Sequence, residues 1–332
     1  MKRQVHIFLT AIMFLTRIRV PPVVDHSPAY LKEAPRYFPV VGWIVGMVSA
    51  LVYLLGSRFL STDAGVLAAM VTGILVTGAF HEDGFADVCD GFGGGWTKEK
   101  ILLIMKDSRI GAYGAIGLIL LLGTKFLLLK ELPAFTPALE PAAAAASGSA
   151  AAASGFWTAA PQNIFYDHRY AILAIICAHS LGRLMPVLVM QAGTYARAGL
   201  PYAGTPGKDT PGADTPGPSI PGADRPGEGT PRPAAGPRVD AGAAAEGKSA
   251  AFAGRRMSIG GVVAAVVFAL APFAFLPWQY LLVIVPVLYA TFELNRYFKR
   301  WIGGYTGDCL GAIEQVSEIM IYLGFVLIFR YF

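Results

Sequence analysis

FHEDGFADVCDGFGGG, residues 80–95, decides how this chain is read. It follows an apolar run and sets four carboxylates, Glu82, Asp83, Asp87 and Asp90, within nine residues. If the preceding helix continues through the stretch, Asp83, Asp87 and Asp90 fall at i, i+4 and i+7. At 3.6 residues per turn they project from one face. Glu82 then lies about a quarter-turn away, and His81 points to the opposite side. Three like charges on one stripe repel, which raises their pKa values or disfavours the helix unless a cation joins them. Hard oxygen ligands without a His or Cys in the stripe favour Mg²⁺, with Mn²⁺ as the alternative, over zinc. Mg²⁺ held by few carboxylates completes its shell with water and substrate phosphates. The stretch therefore predicts a metal–phosphate site. The bland alternative is a solvated helix end whose acids bind nothing, and a helix C-terminus disfavours acids through its dipole.

The surroundings of the stretch are those of a membrane protein. Of 332 residues, 55% are hydrophobic and 15% charged, and mean hydropathy is positive. Soluble domains run at ~45–50% apolar. Lys2 and Arg3 precede an apolar run, but Thr16-Arg17-Ile18-Arg19 follows with no small-residue cleavage site, so a signal peptide is not expected. Cys89, Cys177 and Cys309 are too widely separated for a disulfide framework or a zinc motif. The net charge of +5 reports loop topology here and does not imply nucleic acid as a partner.

Spanning helices need roughly 17–25 mostly apolar residues. Seven stretches qualify, near 38–60, 64–81, 110–130, 170–192, 257–275, 278–295 and 310–330. The run 5–16 is short and reads as an interfacial or re-entrant helix. The expected fold is an all-α polytopic helical bundle of about seven spans, one catalytic domain over 1–332. Two segments fit no membrane element. Residues 133–160 are rich in Ala, Pro and Ser. Residues 205–231 carry a Pro-Gly repeat, TPGKDTPGADTPGPSIPGADRPGEGTP, within a Pro/Gly-rich insertion spanning 200–256. Pro removes a backbone donor and Gly adds chain entropy, so a disordered loop is expected there.

Lys and Arg set the orientation. With the N-terminus inside and seven spans, the inner segments hold Lys2, Arg3, Arg17, Arg19, Lys32 and Arg36; Lys98, Lys100, Lys106 and Arg109; Arg255 and Arg256; and Arg296, Lys299 and Arg300. The outer segments keep Arg58, Lys130, Arg169 and Arg330. This asymmetry predicts a multi-pass protein of the cytoplasmic (inner) membrane. It places 81–109 and 296–309 together on the cytoplasmic side, which makes that the side of the active site.

Other polar positions extend the candidate site. Gly93-Gly94-Gly95 ends the acidic helix, and Thr97 caps a short helix starting at Lys98. In KDSRIGAYG, residues 106–114, Lys106 and Arg109 are placed to meet phosphate oxygens, Arg bidentately; the plain reading is ordinary juxtamembrane charge. Gly111, Gly114 and Gly117 predict a close helix–helix contact. Arg183 falls inside a span, where a charge pairs with an acid or faces a polar cavity; an ion pair and a substrate-phosphate contact are equal alternatives. His179 reads as a satisfied interior histidine. Asp308 opens the last span, where the dipole favours an acid, and Glu314 and Glu318 are intramembrane acids and functional candidates.

FLTRIRVP (14–21), YFPVVGWIVG (37–46), FHEDGFADVCDGFGGG (80–95), KDSRIGAYG (106–114) and GGYTGDCLGA (303–312) occur in order. Together they resemble the cobalamin synthase family, the adenosylcobinamide-GDP ribazoletransferases, over nearly the whole chain apart from the two insertions. The resemblance implies an integral, Mg²⁺-dependent membrane enzyme of the last stage of vitamin B12 assembly. It would join α-ribazole, or its 5′-phosphate, to adenosylcobinamide-GDP and release GMP. On that reading Asp83, Asp87 and Asp90 are metal ligands and Glu82 is a ligand or base. Asp308 completes the metal shell or orients the nucleophile, and Lys106 and Arg109 hold the GDP phosphates. The partners are then these two substrates and the bilayer; the sequence does not separate a monomer from a homo-oligomer. The acidic motif is also distantly similar to that of CDP-alcohol phosphotransferases, but no Arg follows Ala86 and the acid spacing differs. A cation transporter is a third reading, against which no internal repeat is visible.

Overall fold

The computed structural model describes residues 2–21, 28–132, 164–196 and 256–332, and among these every regular element is helical. The Ala-rich segment 133–160 lies outside the described residues, as does the Pro/Gly-rich insertion but for its last residue. The chain opens with α1 (Lys2–Leu15), whose 14 residues reach about 21 Å at ~1.5 Å per residue. That is short of a ~30 Å hydrocarbon core, as expected for an interfacial element. Ile7, Ala11 and Leu15 recur every fourth residue and are buried, so one face of α1 is packed on the bundle.

A short α2 (Pro28–Glu33) and a 3₁₀ turn lead into α3 (Phe38–Phe59). There follow α4 (Thr62–Thr77), α5 (Phe80–Gly94), α6 (Lys98–Ile104), α7 (Ala112–Glu131), α8 (Ile164–Ala192), α9 (Ile259–Leu270), α10 (Ile284–Ile302) and α11 (Gly307–Tyr331). Hydroxyl caps begin several of them. Ser61 accepts from the Ala64 amide, Thr97 from Lys100 and Thr306 from Cys309, each satisfying an otherwise orphaned donor.

Five helical stretches are long and apolar enough to cross a membrane: Ala29–Phe59, Ala112–Glu131, His168–Ala192, Trp278–Ile302 and Gly307–Tyr331. The bent pair α4 and α5 would make a sixth. The count falls below the seven expected because the 257–275 stretch folds as a shorter helix finished by a 3₁₀ turn, Ile259–Phe275. The 64–81 stretch stops at Thr77, where the chain turns by 89°. This is a multi-pass membrane architecture. The central helices are α8 and α11, whose spans are mostly buried in protein, whereas α7 and α10 turn Ile119, Leu120, Leu127, Val285, Tyr289 and Phe292 outward. Apolar surface on that scale is explained by lipid contact.

Helices α3 and α8 touch backbone to backbone. A Cβ added at Gly42 would land on the His179 carbonyl, 2.7 Å from its carbon. Gly123 of α7 has no neighbouring atom within 4 Å. Gly42→Ala should therefore destabilise the detergent-solubilised protein by ~1–3 kcal/mol, the usual cost of overpacking, while Gly123→Ala leaves thermal unfolding unchanged or raised. Equal melting temperatures for the two variants would contradict the α3–α8 seam.

Candidate functional site

The acidic stretch does not continue the preceding helix. Gly78 (φ 72°) and Ala79 (φ 58°) both sit in the left-handed region, which glycine adopts freely and alanine only under strain. The ladder is interrupted there and α5 starts afresh at Phe80. Arg17 lies over the bend: its amide donates to the Val76 carbonyl, and its side chain fills the space a Cβ at Gly78 would need. Glu82 and Asp83 therefore occupy the first turn of a helix instead of the end of one. This corrects the expectation of acids at a helix C-terminus: the dipole of α5 favours them.

The i, i+4, i+7 relation survives on α5, but the three aspartates have different surroundings. Asp83 is exposed and Asp87 half-buried. Asp90 accepts from the Gly111 amide at 2.7 Å and the Gly114 amide at 2.8 Å, so both its oxygens hold the start of α7 in place. Gly111, Gly114 and Gly117 do form a close helix contact, and side chains of α5, Asp90 and Cys89, occupy the space they leave. Each Asp90 oxygen keeps a second lone pair, and a carboxylate ligand is commonly fixed by such hydrogen bonds.

Across from α5, the N-terminus of α11 comes close. A Cβ at Gly84 would stand 3.0 Å from the Asp308 Cα, so the two backbones meet beside Asp83. Asp308 accepts from the Thr306 hydroxyl at 3.2 Å. The N-termini of two helices and the carboxylates of Asp83 and Asp308 thus share one end of the bundle. Lys106 and Arg109 are exposed in the loop between α6 and α7. Arg109 is engaged by Asp107, with Nη2 at 2.6 Å and Nε at 3.0 Å from its oxygens. These charge-assisted bonds hold the Asp107 carboxyl down at about 2. The pairing is thus present above the ordinary carboxylate range and is lost only as pH falls through about 2. Asp107, two residues before Arg109, was legible as an acid but not as its clamp.

Glu82 turns inward. Its Oε1 accepts from Gln315 at 3.2 Å, and its buried Oε2 has no hydrogen-bond partner among the described residues. It joins an ionic cluster that links α5, α7, α8 and α11. Lys125 donates to Gln315 Oε1 at 2.5 Å and Glu318 Oε2 at 2.6 Å. Arg183 Nη1 lies 3.2 Å from Glu314 Oε1 and donates to the His179 carbonyl at 2.8 Å. His179 Nδ1 is 2.6 Å from Glu318 Oε1, and His81 Nδ1 is 3.7 Å from Glu314 Oε2. Arg183 is 1% exposed, and in this structure its guanidinium meets an acid, one of the two alternatives its sequence position left open.

Among the described residues, His179, Glu314 and Glu318 are the one trio of His, Cys, Asp or Glu whose ligand atoms all lie within 4.8 Å of one another. Lys125 and Arg183 already occupy its carboxylates. A dication there would face two fixed cations, so the geometry is that of an internal ion cluster. A small cavity opens beside it, and Glu82, Lys125 and Glu318 line it. Sequence reading singled out Arg183, Glu314 and Glu318. It passed over Lys125 because a lysine one turn from the end of a span resembles a snorkelling anchor.

Comparison with known proteins adds an independent line. A sequence model of the family described as cobalamin-5-phosphate synthase matches residues 7–206 and 237–326. The unmatched residues between them, 207–236, fall within the Pro/Gly-rich insertion. An adenosylcobinamide-GDP ribazoletransferase of Shewanella frigidimarina is 34% identical over 97% of this chain and 94% of its own. One from Ralstonia pickettii is 34% identical over 95% and 93%, and one from Leptospira interrogans 32% over 96% and 93%. No solved structure matches.

Breaking the buried cluster should be costly. Lys125→Met leaves Glu318 and Gln315 without their donor and is expected to destabilise by ~3–5 kcal/mol. Adding Glu318→Gln should recover part of that loss, because the remaining carboxylates and cations then come closer to balance. A double variant no more stable than Lys125→Met would show that the two side chains are not coupled.

Proposed function

Because the chain belongs to the cobalamin-5-phosphate synthase family, we infer that it catalyses the last stage of cobalamin synthesis as an adenosylcobinamide-GDP ribazoletransferase. A ribose hydroxyl of α-ribazole, or of its 5′-phosphate, attacks the cobinamide-proximal phosphorus of the diphosphate. GMP leaves, and the product is adenosylcobalamin or its 5′-phosphate. The observation that carries the reading is the meeting of α5 and α11 at Gly84 and Asp308, which sets two helix N-termini and several carboxylates at one end of the bundle.

The donor chemistry suits a hard divalent cation: Asp83 and Asp87 lie one turn apart on α5, Asp90 is fixed by two amides, and Asp308 stands across the seam, although no three of these carboxylates have ligand atoms within 4.8 Å of one another. These residues would hold Mg²⁺, with Mn²⁺ as the substitute. Bound there, the ion neutralises charge on the diphosphate. The chain's own groups supply the rest. The positive ends of α5 and α11 favour an anion between them. Lys106 and Arg109 hold the phosphates of the GDP moiety, of which the guanosine-side one departs in GMP; Arg109 exchanges the Asp107 carboxylate for a phosphate, both being bidentate partners of the guanidinium. Asp308, beside Gly84, orients the attacking hydroxyl. Glu82, committed to Gln315, positions α5 against the cluster. In phosphoryl transfer such positioning and electrostatics provide most of the catalysis.

Several features support a cytoplasmic site in the inner membrane. α6 packs on α10, and Phe92 rests on Tyr297 and Phe298 at 5.2 and 5.3 Å. The Lys- and Arg-rich segments 98–109 and 296–300 thus share one end, the distribution expected of a cytoplasmic face.

The test is direct. Membranes carrying the protein should form a labelled corrinoid product from adenosylcobinamide-GDP plus α-ribazole, and none from CDP-diacylglycerol plus an alcohol; product only in the second mixture overturns the function. Asp87→Asn should lower turnover at least 10²-fold with membrane insertion intact. Wild-type rates in that variant would remove Asp87 from the ligand set. Chelation of divalent ions should stop the wild-type reaction and added Mg²⁺ restore it.

A further inference from the structure

A second cavity lies beside the acidic helix, and nothing in the reaction described above uses it. Aromatic rings from separate elements wall it: Phe14 of α1, Phe38 of α3, Phe80 of α5 and Tyr305 of the turn before α11. The rings are packed in order. Phe14 and Phe38 stack at 5.7 Å with an interplanar angle of 2°, and Phe80 meets Phe14 edge-on at 5.5 Å. Two polar side chains from the ion cluster, Arg183 and His81, also line the cavity, and both reach the smaller cavity beside the cluster as well. Arg183 Nη1 is committed to His179 and Glu314, but its buried Nε has no hydrogen-bond partner among the described residues. A buried donor without an acceptor costs ~1–3 kcal/mol, and more when it is charged. An apolar chamber with one unanswered donor is complementary to a flat apolar ring that carries one acceptor.

Size narrows the occupant. The cavity holds about 40 Å³ of water centres. Adding a water radius of ~1.4 Å on every side widens a compact space of that size to roughly 180 Å³, the scale of one fused two-ring heterocycle. A corrin macrocycle is far too large. Guanine is of similar size, but its edge carries several donors and acceptors; Arg183, His81 and Tyr305 are the polar side chains among otherwise apolar walls, so much of that edge would go unpaired, which is costly.

We propose that this cavity is the subsite for the base of α-ribazole, a methylated benzimidazole with one ring nitrogen free to accept from Arg183 Nε. The proposal rests on the transferase reading above and adds where the acceptor lies. Its position suits the chemistry. Leu310 of the first turns of α11 lines the cavity two residues after Asp308, and Phe80 lies three residues before Asp83. A base seated among the rings hands its ribose to the seam where α5 and α11 meet.

Leu310 provides the test, because it is half-buried, lines the cavity and has no polar role. The full-length protein is assayed in membranes with both substrates. Product from the wild type establishes the reaction itself, so its absence would defeat the transferase reading and not the subsite alone. Given that product, Leu310→Trp should raise KM for α-ribazole at least tenfold and leave KM for adenosylcobinamide-GDP within twofold. The same variant should lose less than threefold with an acceptor whose base is a single imidazole ring. Leu310→Ala should improve use of an acceptor with a three-ring base at least threefold relative to α-ribazole. A Trp variant that shifts both substrates equally, or neither, overturns the proposal. If that variant is inactive with every acceptor, the alanine variant decides, and an unchanged size preference then overturns it.

Discussion

The ion cluster at the centre of the bundle is the constraint to which the rest of the structure answers. Lys125 on α7, His179 and Arg183 on α8, and Glu314 and Glu318 on α11 lie at 0–13% exposure between helices that otherwise present apolar surface. No one of them is stable alone in such surroundings, since an uncompensated charge away from water costs several kcal/mol. The three helices must therefore be in register before any of these side chains finds its partner. The requirement selects one arrangement of α7, α8 and α11 from the many that apolar packing would allow. In a bilayer, where lipid competes with side chains for apolar contact, that selection cannot be left to hydrophobicity.

The cluster also reaches the end of the bundle where α5 and α11 meet. Gln315 accepts from Lys125 and donates to Glu82, so one amide joins the buried charges to the first turn of the acidic helix. A second tether, Asp90 to the amides of Gly111 and Gly114, fixes the far end of the same helix to α7. Between these two points Asp83 is exposed and Asp87 half-buried. The carboxylates of the motif thus divide their labour: Glu82 and Asp90 hold α5 in place, and Asp83 faces solvent.

Much of this was legible in the residues. The apolar runs located five spans, because a helix must supply ~20 apolar residues to cross, and overcounted at 64–81 and 257–275, where the helices stop short. The acid spacing marked one face of α5, and the Gly111, Gly114 and Gly117 series located the α5–α7 contact. What could not be read was set by backbone conformation and by distant partners. The bend at Gly78–Ala79 hides because an alanine at positive φ carries no sequence signature, so the acids were placed at the wrong end of a helix dipole. Lys125 hides because its partners lie about 190 positions away in the chain. Arg109 was read as open to phosphate because a pairing with Asp107 across one loop is a matter of loop shape, which residue type does not specify.

The right-angle turn between α4 and α5 has a further meaning. α4 packs against α3, whereas α5, turned 89° from it, packs along α11 and α7. The corner puts the first turn of α5, with Asp83 exposed, at a break in the backbone instead of inside a continuous span. A carboxylate at such a joint keeps its contact with water because the helix that would have enclosed it has ended, so an acid can stand beside apolar helices without a counter-charge inside them.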